Sequence, residues 1–213
     1  MKLRDPVSAG THWAGALLSV AGLVLLVAAA ARRATPWHVV AFAIYGASLI
    51  LLYSASTLYH ALPAPKSGIG LLRRFDHMMI YVLIAGTYTP LCLLALQGAW
   101  RWGLLGTVWG LAILGVVVTG KWFKGARWLS SGLYLAMGWL VIIATGPLWH
   151  AIPGAGFGWL VAGGVFYTLG ALIYGFKWPN LAPAFGFHEL FHVFVLLGSL
   201  CHFWLMFRYL MAL

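Results

Sequence analysis

Residues 187–211 read FHELFHVFVLLGSLCHFWLMFRYLM, a run of 25 residues in which Glu189 and Arg208 are the only charged side chains. A helix needs about 20 mainly apolar residues to cross the hydrocarbon core of a bilayer, so this stretch predicts a membrane-spanning helix. Six comparable apolar stretches precede it, at residues 11–31, 37–58, 75–96, 102–119, 130–149 and 157–175. The sequence therefore predicts an all-α integral membrane protein, a seven-transmembrane helix bundle that forms one domain over residues 1–213.

The composition excludes a soluble globular protein. Hydrophobic residues make up 63% of the 213 residues and charged residues 8%, whereas soluble domains are about half apolar and a quarter charged. The net charge is +10, but the Lys and Arg residues are spread singly or in pairs between the apolar stretches. The sequence therefore predicts no nucleic-acid partner. Cys92 and Cys201 both lie within apolar stretches, so no disulfide framework is implied.

The basic residues are unequally divided between the two predicted membrane faces. Nine belong to the N-terminus and to the second, fourth and sixth loops: Lys2, Arg4, Lys66, Arg73, Arg74, Lys121, Lys124, Arg127 and Lys177. Four belong to the opposite face: Arg32, Arg33, Arg101 and Arg208. Because cytoplasmic loops carry an excess of Lys and Arg, the sequence predicts a cytoplasmic N-terminus and a C-terminus outside.

Polar side chains that can bind or assist a metal occur at span ends that this topology brings to one face. Ser56 and His60 lie four residues apart near the end of the second span, and His188 and His192 have the same spacing in the last span. Residues four apart share one side of a helix. Asp76, one of three acidic residues in the chain, begins the third span. Three imidazoles near a carboxylate are typical of a zinc site with an open position, so we predict a metal site at the cytoplasmic face.

The other histidines are predicted to lie outside this ligand set. His202 is ten residues beyond the last predicted ligand, about 15 Å along a helix, and is expected to be a hydrogen-bonded interior residue. His38 and His150 map to the outer face and are expected at the membrane interface. His77 directly follows the predicted aspartate but points about 100° away around the helix, so it is not included. His12 lies at the correct face and is a candidate for a supporting role.

Two other functions are compatible with parts of this pattern. HELFH at residues 188–192 matches the zinc-protease motif, in which the glutamate is the general base. However, Val195 and Gly198 stand where the metzincin continuation requires Gly and His, and no acid follows Glu189, so a protease would have to recruit the distant Asp76. Paired histidines on different helices can also bind haem for electron transfer. Asp76 and Ser56 would then have no role.

Together these segments resemble the hemolysin III family, bacterial members of the progestin and adipoQ receptor superfamily. The matching sequences are SxxYH at residues 56–60, DHMMI at 76–80, AGTYTP at 85–90, and HELFHVF at 188–194 with Gly198. The superfamily has an asparagine four residues before its first-helix histidine, whereas this chain has Ser8 before His12.

The resemblance implies a multi-pass protein of the bacterial inner membrane that holds Zn²⁺ through three histidines. The residues that correspond to these ligands are His60, His188 and His192. The family's aspartate, which reaches the metal through a water, corresponds to Asp76, and its serine corresponds to Ser56.

The expected chemistry is hydrolysis of a lipid. Three neutral ligands leave zinc strongly Lewis acidic, with a fourth position for a water whose pKa falls to about 7. Asp76 is expected to accept a proton from this water or to orient it, with Ser56 as a hydrogen-bond donor. The expected partners are membrane lipids, and receptor members of the superfamily have been linked to ceramide hydrolysis, so a lipid amide or ester is the expected substrate. The alternatives are a receptor or sensor with a structural zinc site, or a cytolysis-associated protein.

Overall fold

The computed structural model describes residues 3–121 and 127–213. The α-helices in these ranges are α1 (Pro6–Arg33), α2 (Pro36–Ala61), α3 (Lys66–Pro90), α4 (Gly98–Lys121), α5 (Arg127–Gly138), α6 (Thr145–Ala151), α7 (Gly154–Phe176) and α8 (Phe187–Arg208). A π-helical turn, Leu91–Ala95, continues α3; a 3₁₀ segment, Trp139–Ala144, joins α5 to α6; and a 3₁₀ turn, Leu210–Ala212, follows α8. Within the described residues, these elements make seven helices that are long and apolar enough to cross a membrane.

The predicted all-α fold with seven spans is confirmed, and the span boundaries agree within a few residues at most ends. The largest difference is at the third span, which begins at Lys66 rather than at residue 75. The added segment carries Arg73 and Arg74 and continues the helix beyond the apolar run. A helix satisfies its own backbone hydrogen bonds, so its length is not limited to the hydrophobic stretch that crosses the bilayer.

The fifth span is interrupted where α5 gives way to the 3₁₀ segment. Tyr88 of α3 donates a hydrogen bond to the Gly138 carbonyl at 2.6 Å and accepts one from the Val141 amide at 2.7 Å. Backbone groups that are freed at a helix break inside a membrane must find partners within the protein. Tyr88 provides both a donor and an acceptor, which explains how the irregular segment is accommodated at this depth.

The spans differ in how deeply they are buried. In their most apolar windows, 67%, 56% and 44% of the residues are buried in the third, second and seventh spans, against 17% in the fifth. α1 packs on α2 and α8, α2 packs on α3, and α7 packs on α8. The predicted metal-site residues belong to the three most buried spans. They therefore lie inside the bundle, where ionisable side chains of membrane proteins normally face.

The orientation of this bundle in the membrane is a prediction from charge, and of the basic residues used for it, Lys2 and Lys124 fall outside the described ranges. We expect a reporter that is active only in the cytoplasm to work when fused before Met1 and to fail when fused after Leu213. The reason is the excess of nine basic residues over four on the predicted cytoplasmic face. A reporter that works at Leu213 and fails at Met1 would move the three-histidine group to the outer face.

Candidate metal centre

The three predicted metal ligands converge at one end of the bundle. His60 lies in the last turn of α2, and His188 and His192 lie in the first two turns of α8. One ring nitrogen from each residue lies within 4.8 Å of the other two, and Nε2 of His60 is 3.1 Å from Nε2 of His188. His60 and His192 are buried, and His188 is half-buried. Side chains from two distant parts of the sequence thus form one compact group.

The spacing of this group suits a metal with tetrahedral coordination. Zinc binds histidine nitrogen at about 2.0–2.1 Å, so two ligand nitrogens at a tetrahedral zinc lie about 3.3 Å apart. The 3.1 Å between the Nε2 atoms of His60 and His188 is close to that separation. A porphyrin does not fit between nitrogens this close, which disfavours the haem alternative. The three imidazoles could therefore hold a metal ion.

An acidic residue near the N-terminus contacts one of these histidines. His60 donates a hydrogen bond from Nδ1 to Oδ2 of Asp5 at 3.0 Å, and the Asp5 amide donates to the His60 carbonyl, also at 3.0 Å. Arg4 donates from Nε to the same carboxylate oxygen at 3.0 Å, and its guanidinium lies over the Tyr59 ring, 4.3 Å from the centroid. Because Nδ1 of His60 is engaged with Asp5, its Nε2 lone pair is directed to the other histidines.

Asp5 was not among the predicted site residues, although its position in the sequence carried a signal. It precedes the first span, whose start the charge distribution assigns to the same face as His60 and Asp76. Partial burial raises the pKa of the Asp5 carboxyl, but the hydrogen bond from His60 and the Arg4 guanidinium lower it by more, so its pKa lies below the ordinary value. Asp5 is therefore a carboxylate at neutral pH.

His192 is held by residues near the start of α1. Its Nδ1 is 3.3 Å from Oγ1 of Thr11, which itself donates to the Ser8 carbonyl at 3.0 Å. The ring of His12 stacks on the ring of His192, with centroids 3.6 Å apart and 8° between the planes. His12 does not belong to the three-histidine group, and its buried ring nitrogens have no hydrogen-bond partner among residues 3–121 and 127–213. His12 therefore packs against a candidate ligand without joining the ligand set.

Glu189 caps the start of α8. Its Oε2 accepts a hydrogen bond from the Gly186 amide at 2.9 Å, and its Oε1 accepts one from the Ser8 hydroxyl at 2.8 Å. This contact is one half of a capping box, in which the third helical residue accepts from the N-cap amide; the glycine at the N-cap has no side chain for the other half. Because both carboxylate oxygens are engaged in structural contacts, Glu189 is not placed as the general base that the protease interpretation requires.

Asp76 and Ser56 lie beside the three histidines rather than among them. Neither residue belongs to the group of converging ligand atoms, but both line a cavity that His188 and His192 also line. The Ser56 hydroxyl is hydrogen-bonded to the Asp76 carboxyl. The carboxyl therefore faces the same space as the candidate metal ligands and is held in place from the neighbouring helix.

His77 is closer to Asp76 than the helical geometry predicted. Its Nδ1 is 3.6 Å from Oδ2 of Asp76, and this nitrogen donates to the Arg73 carbonyl one turn earlier at 2.9 Å. Adjacent residues on a helix differ by about 100° in direction, but a ring that folds back along the helix can still reach its neighbour. His77 is not in the three-histidine group, so its exclusion from the ligand set agrees with the structure.

The remaining histidines have separate contacts. His202 donates from Nε2 to the Leu160 carbonyl at 3.2 Å, which confirms the predicted interior hydrogen bond. His38 caps the start of α2, with Nδ1 2.9 Å from Oγ1 of Thr35. His38 is buried in the first turn of α2. His150 is exposed.

A cavity of about 600 Å³ extends from the candidate metal centre into the bundle. Asp76 and His188 line it near one end, and His202 lines it further along α8. These two histidines are fourteen residues apart, about 21 Å along a helix, so the cavity reaches through much of the span. Most of the remaining wall is apolar. The apolar lining includes Leu52, Ile80, Leu83, Ile84, Leu91, Leu133, Val141, Phe157, Leu160 and Val195.

A protein-family model described as Haemolysin-III related matches residues 2–203, nearly the whole chain. The chain belongs to the haemolysin III family. This haemolysin III protein is similar to Hemolysin-3 of Bacillus cereus, with 43% identity over 191 residues that cover 89% of this chain and 84% of the relative. It is similarly related to the Hemolysin-3 homolog of Bacillus subtilis (strain 168), with 43% identity over 189 residues that cover 89% and 86%.

A more distant similarity links the haemolysin III protein to a human protein. It is 25% identical to Monocyte to macrophage differentiation factor of Homo sapiens over 178 residues, which cover 82% of this chain and 72% of that protein. This relative is a member of the progestin and adipoQ receptor family, so the predicted link to that superfamily is confirmed. With seven apolar helices and bacterial haemolysin III relatives, the chain is a multi-pass integral membrane protein of the bacterial inner membrane.

Proposed function

We propose that this haemolysin III protein binds zinc through His60, His188 and His192 and hydrolyses an amide or ester bond in a ceramide-like lipid. One observation carries the proposal: two of the three converging imidazoles, His188 and His192, line a largely apolar cavity of about 600 Å³ together with the paired side chains of Asp76 and Ser56. The polar groups provide the chemistry, and the apolar wall accommodates a lipid chain.

The donor set favours zinc among the metals that imidazole binds. Imidazole nitrogen is a good ligand for zinc, copper, iron and nickel. Three protein ligands with an open position are typical of catalytic zinc, and the spacing between His60 and His188 suits its tetrahedral geometry. When bound, zinc supplies Lewis acidity, which activates water and polarises a carbonyl group.

Asp76 is the residue proposed to transfer the proton. Its carboxyl faces the cavity beside His188 and His192, and the Ser56 hydroxyl holds its orientation. A carboxylate in this position can take a proton from water as the oxygen attacks the lipid carbonyl carbon. The same group can return that proton to the nitrogen or oxygen that leaves when the C–N or C–O bond breaks. One carboxyl thereby serves as base and then as acid.

The cavity supports a lipid as the substrate. Its volume lies within the range of roughly 300–1,000 Å³ that is usual for sites of small molecules. Its apolar wall continues away from Asp76 along the third span, through Ile80 and Ile84 on consecutive turns and Leu91 about two turns further on. An acyl chain in this space would remove apolar surface of the lipid and of the protein from water. Its carbonyl end would then lie near Asp76 and His188.

A lipid screen tests the proposed activity. We expect zinc-loaded wild-type protein to hydrolyse one class within a panel of ceramides and phospholipids, as measured by mass spectrometry of the released fatty acid. Treatment with a zinc chelator should abolish the reaction, and added Zn²⁺ should restore it, because the attacking water depends on the metal. Fully zinc-loaded protein that hydrolyses nothing in the panel would contradict a hydrolase and favour a structural or sensory zinc site.

A second candidate function is an association with cell lysis. The two Bacillus relatives carry hemolysin in their names. Hydrolysis of membrane lipids would itself weaken a bilayer, so lysis could follow from the same site. Bacteria that express the wild-type protein should then lyse erythrocytes more strongly than bacteria that express His60→Ala at the same level. Equal lysis by both strains would show that lysis does not depend on the metal site.

A further inference from the structure

Residues at the start of α1 contact two of the three proposed zinc ligands at the ring nitrogens that point away from the metal position. Asp5 accepts a hydrogen bond from Nδ1 of His60 at 3.0 Å, and Oγ1 of Thr11 lies 3.3 Å from Nδ1 of His192. We propose that Asp5 and Thr11 are positioning residues, which fix both imidazoles in the tautomer that leaves Nε2 free to bind the metal. This inference rests on the proposed zinc site.

The Asp5 carboxylate accepts a hydrogen bond from His60 instead of capping α1. Asp5 is the N-cap residue of α1, a position where aspartate normally accepts a hydrogen bond from an amide of the first turn. The Asp5 side chain makes no capping hydrogen bond to α1. The carboxylate accepts from His60 and Arg4 instead, and the Asp5 amide donates to the His60 carbonyl. The start of α1 and the end of α2 are thus joined by both backbone and side-chain hydrogen bonds.

The donor in the contact between Thr11 and His192 is identified from the other hydrogen bond of Thr11. Its hydroxyl hydrogen is donated to the Ser8 carbonyl at 3.0 Å, so its oxygen can only accept from another group. In this hydrogen-bond arrangement His192 carries its proton on Nδ1 and presents an unprotonated Nε2. The parallel stack of His12 against His192 restrains the plane of the same ring.

Acceptors at the outer nitrogen of a metal-binding histidine orient the ring and make its inner nitrogen more basic. At His60 the acceptor is a full carboxylate, whereas at His192 it is a neutral hydroxyl. The carboxylate should therefore contribute more to metal affinity. The two contacts come from one segment, residues 5–11, so the start of α1 supports His60 on α2 and His192 on α8.

The experiment is a titration of detergent-purified, full-length protein with Zn²⁺ in competition with a chelator of known affinity. We expect Asp5→Asn to weaken zinc binding about 10-fold and Asp5→Ala about 100-fold, the usual range for losses of such partners. Asparagine keeps an acceptor but removes the charge, whereas alanine removes both. Thr11→Val should weaken binding about 10-fold, and Thr11→Ser, which keeps the hydroxyl, should bind as the wild type does.

A second measurement uses Co²⁺ in place of Zn²⁺. The visible absorption of bound Co²⁺ depends on the arrangement of its ligands, so Asp5→Ala should shift these bands even at saturating metal. Glu189→Gln is the matched control, because it removes a nearby charge and keeps the cap of α8, and the two carboxylate oxygens of Glu189 bond to the Ser8 hydroxyl and the Gly186 amide. It should leave both affinity and spectrum unchanged.

The outcomes separate this inference from the function on which it rests. If the wild type binds no zinc, the proposed function fails and the inference with it. If the wild type binds zinc and both Asp5→Ala and Thr11→Val bind it equally tightly, only the positioning role is wrong. An equal loss of zinc affinity in Glu189→Gln would also contradict the positioning role, because the loss would then follow from removing a nearby charge and not from removing a contact to a ligand. Size-exclusion profiles show whether each variant is folded. If Asp5→Ala does not fold, the comparison of Thr11→Val with Thr11→Ser still tests the positioning role.

Discussion

The His188→Ala/His192→Ala variant is expected to bind almost no zinc, whereas the wild-type protein should bind about one ion per chain. The double substitution removes two of the three nitrogens that lie within 4.8 Å of one another, and His60 alone cannot hold the ion. His60→Ala should lose most of the zinc for the same reason. Elemental analysis of detergent-purified protein, with protein concentration determined independently, measures the ratio.

Three other histidines provide matched controls for this loss. His38→Ala, His150→Ala and His202→Ala should each retain the wild-type zinc content. His38 contacts Thr35 and His202 contacts the Leu160 carbonyl, while His150 is exposed. Full zinc occupancy in the double variant would show that the three-histidine group is not the metal site. A loss in all three controls would indicate a general effect on folding.

Asp76→Asn is expected to retain most of the zinc and to lose lipid hydrolysis by about 10²- to 10⁴-fold, the usual contribution of a general base. Asparagine has nearly the same shape as aspartate and can still hydrogen-bond to Ser56, but it cannot accept a proton from water. Asp76 lies outside the group of nitrogen ligands, so zinc affinity should fall modestly at most. The measurements are turnover at saturating zinc and zinc content of the same preparation.

Ser56→Ala is the companion variant to Asp76→Asn. It removes the hydroxyl that is bonded to the carboxyl but leaves the proton acceptor in place, so its loss of turnover should be smaller. If Asp76→Asn hydrolyses lipid at the wild-type rate, Asp76 is not the base. If instead it loses zinc as completely as His60→Ala, Asp76 is a metal ligand rather than a proton acceptor.

The sequence was sufficient to predict the spans and the three converging histidines because both depend on local pattern. A run of about 20 apolar residues marks a span regardless of its neighbours, and a spacing of four places two side chains on one helix face. The charge count then assigned His60, His188 and Asp76 to one membrane face. These steps required no knowledge of how the helices pack.

Features that depend on contacts between distant residues were not predicted. Asp5 is 55 positions from His60, and no local periodicity connects them. The break in the fifth span depends on Tyr88, which lies 50 positions before the Gly138 carbonyl that it bonds. Each case is a side chain that satisfies a specific polar atom, which only the packed structure identifies.

The candidate metal centre unites side chains of the first two spans with side chains of the seventh span. Asp5 and His60 belong to the first two spans, whose helices pack directly on one another, so this pair can form as a hairpin enters the bilayer. His188 follows His60 by 128 residues, which is roughly 6 to 25 s of translation at about 5–20 residues per second. During that interval His60 is already oriented but has no partner ligands. If the proposed site binds metal, capture has to wait for the seventh span, and a chain that stalls before this span should remain metal-free.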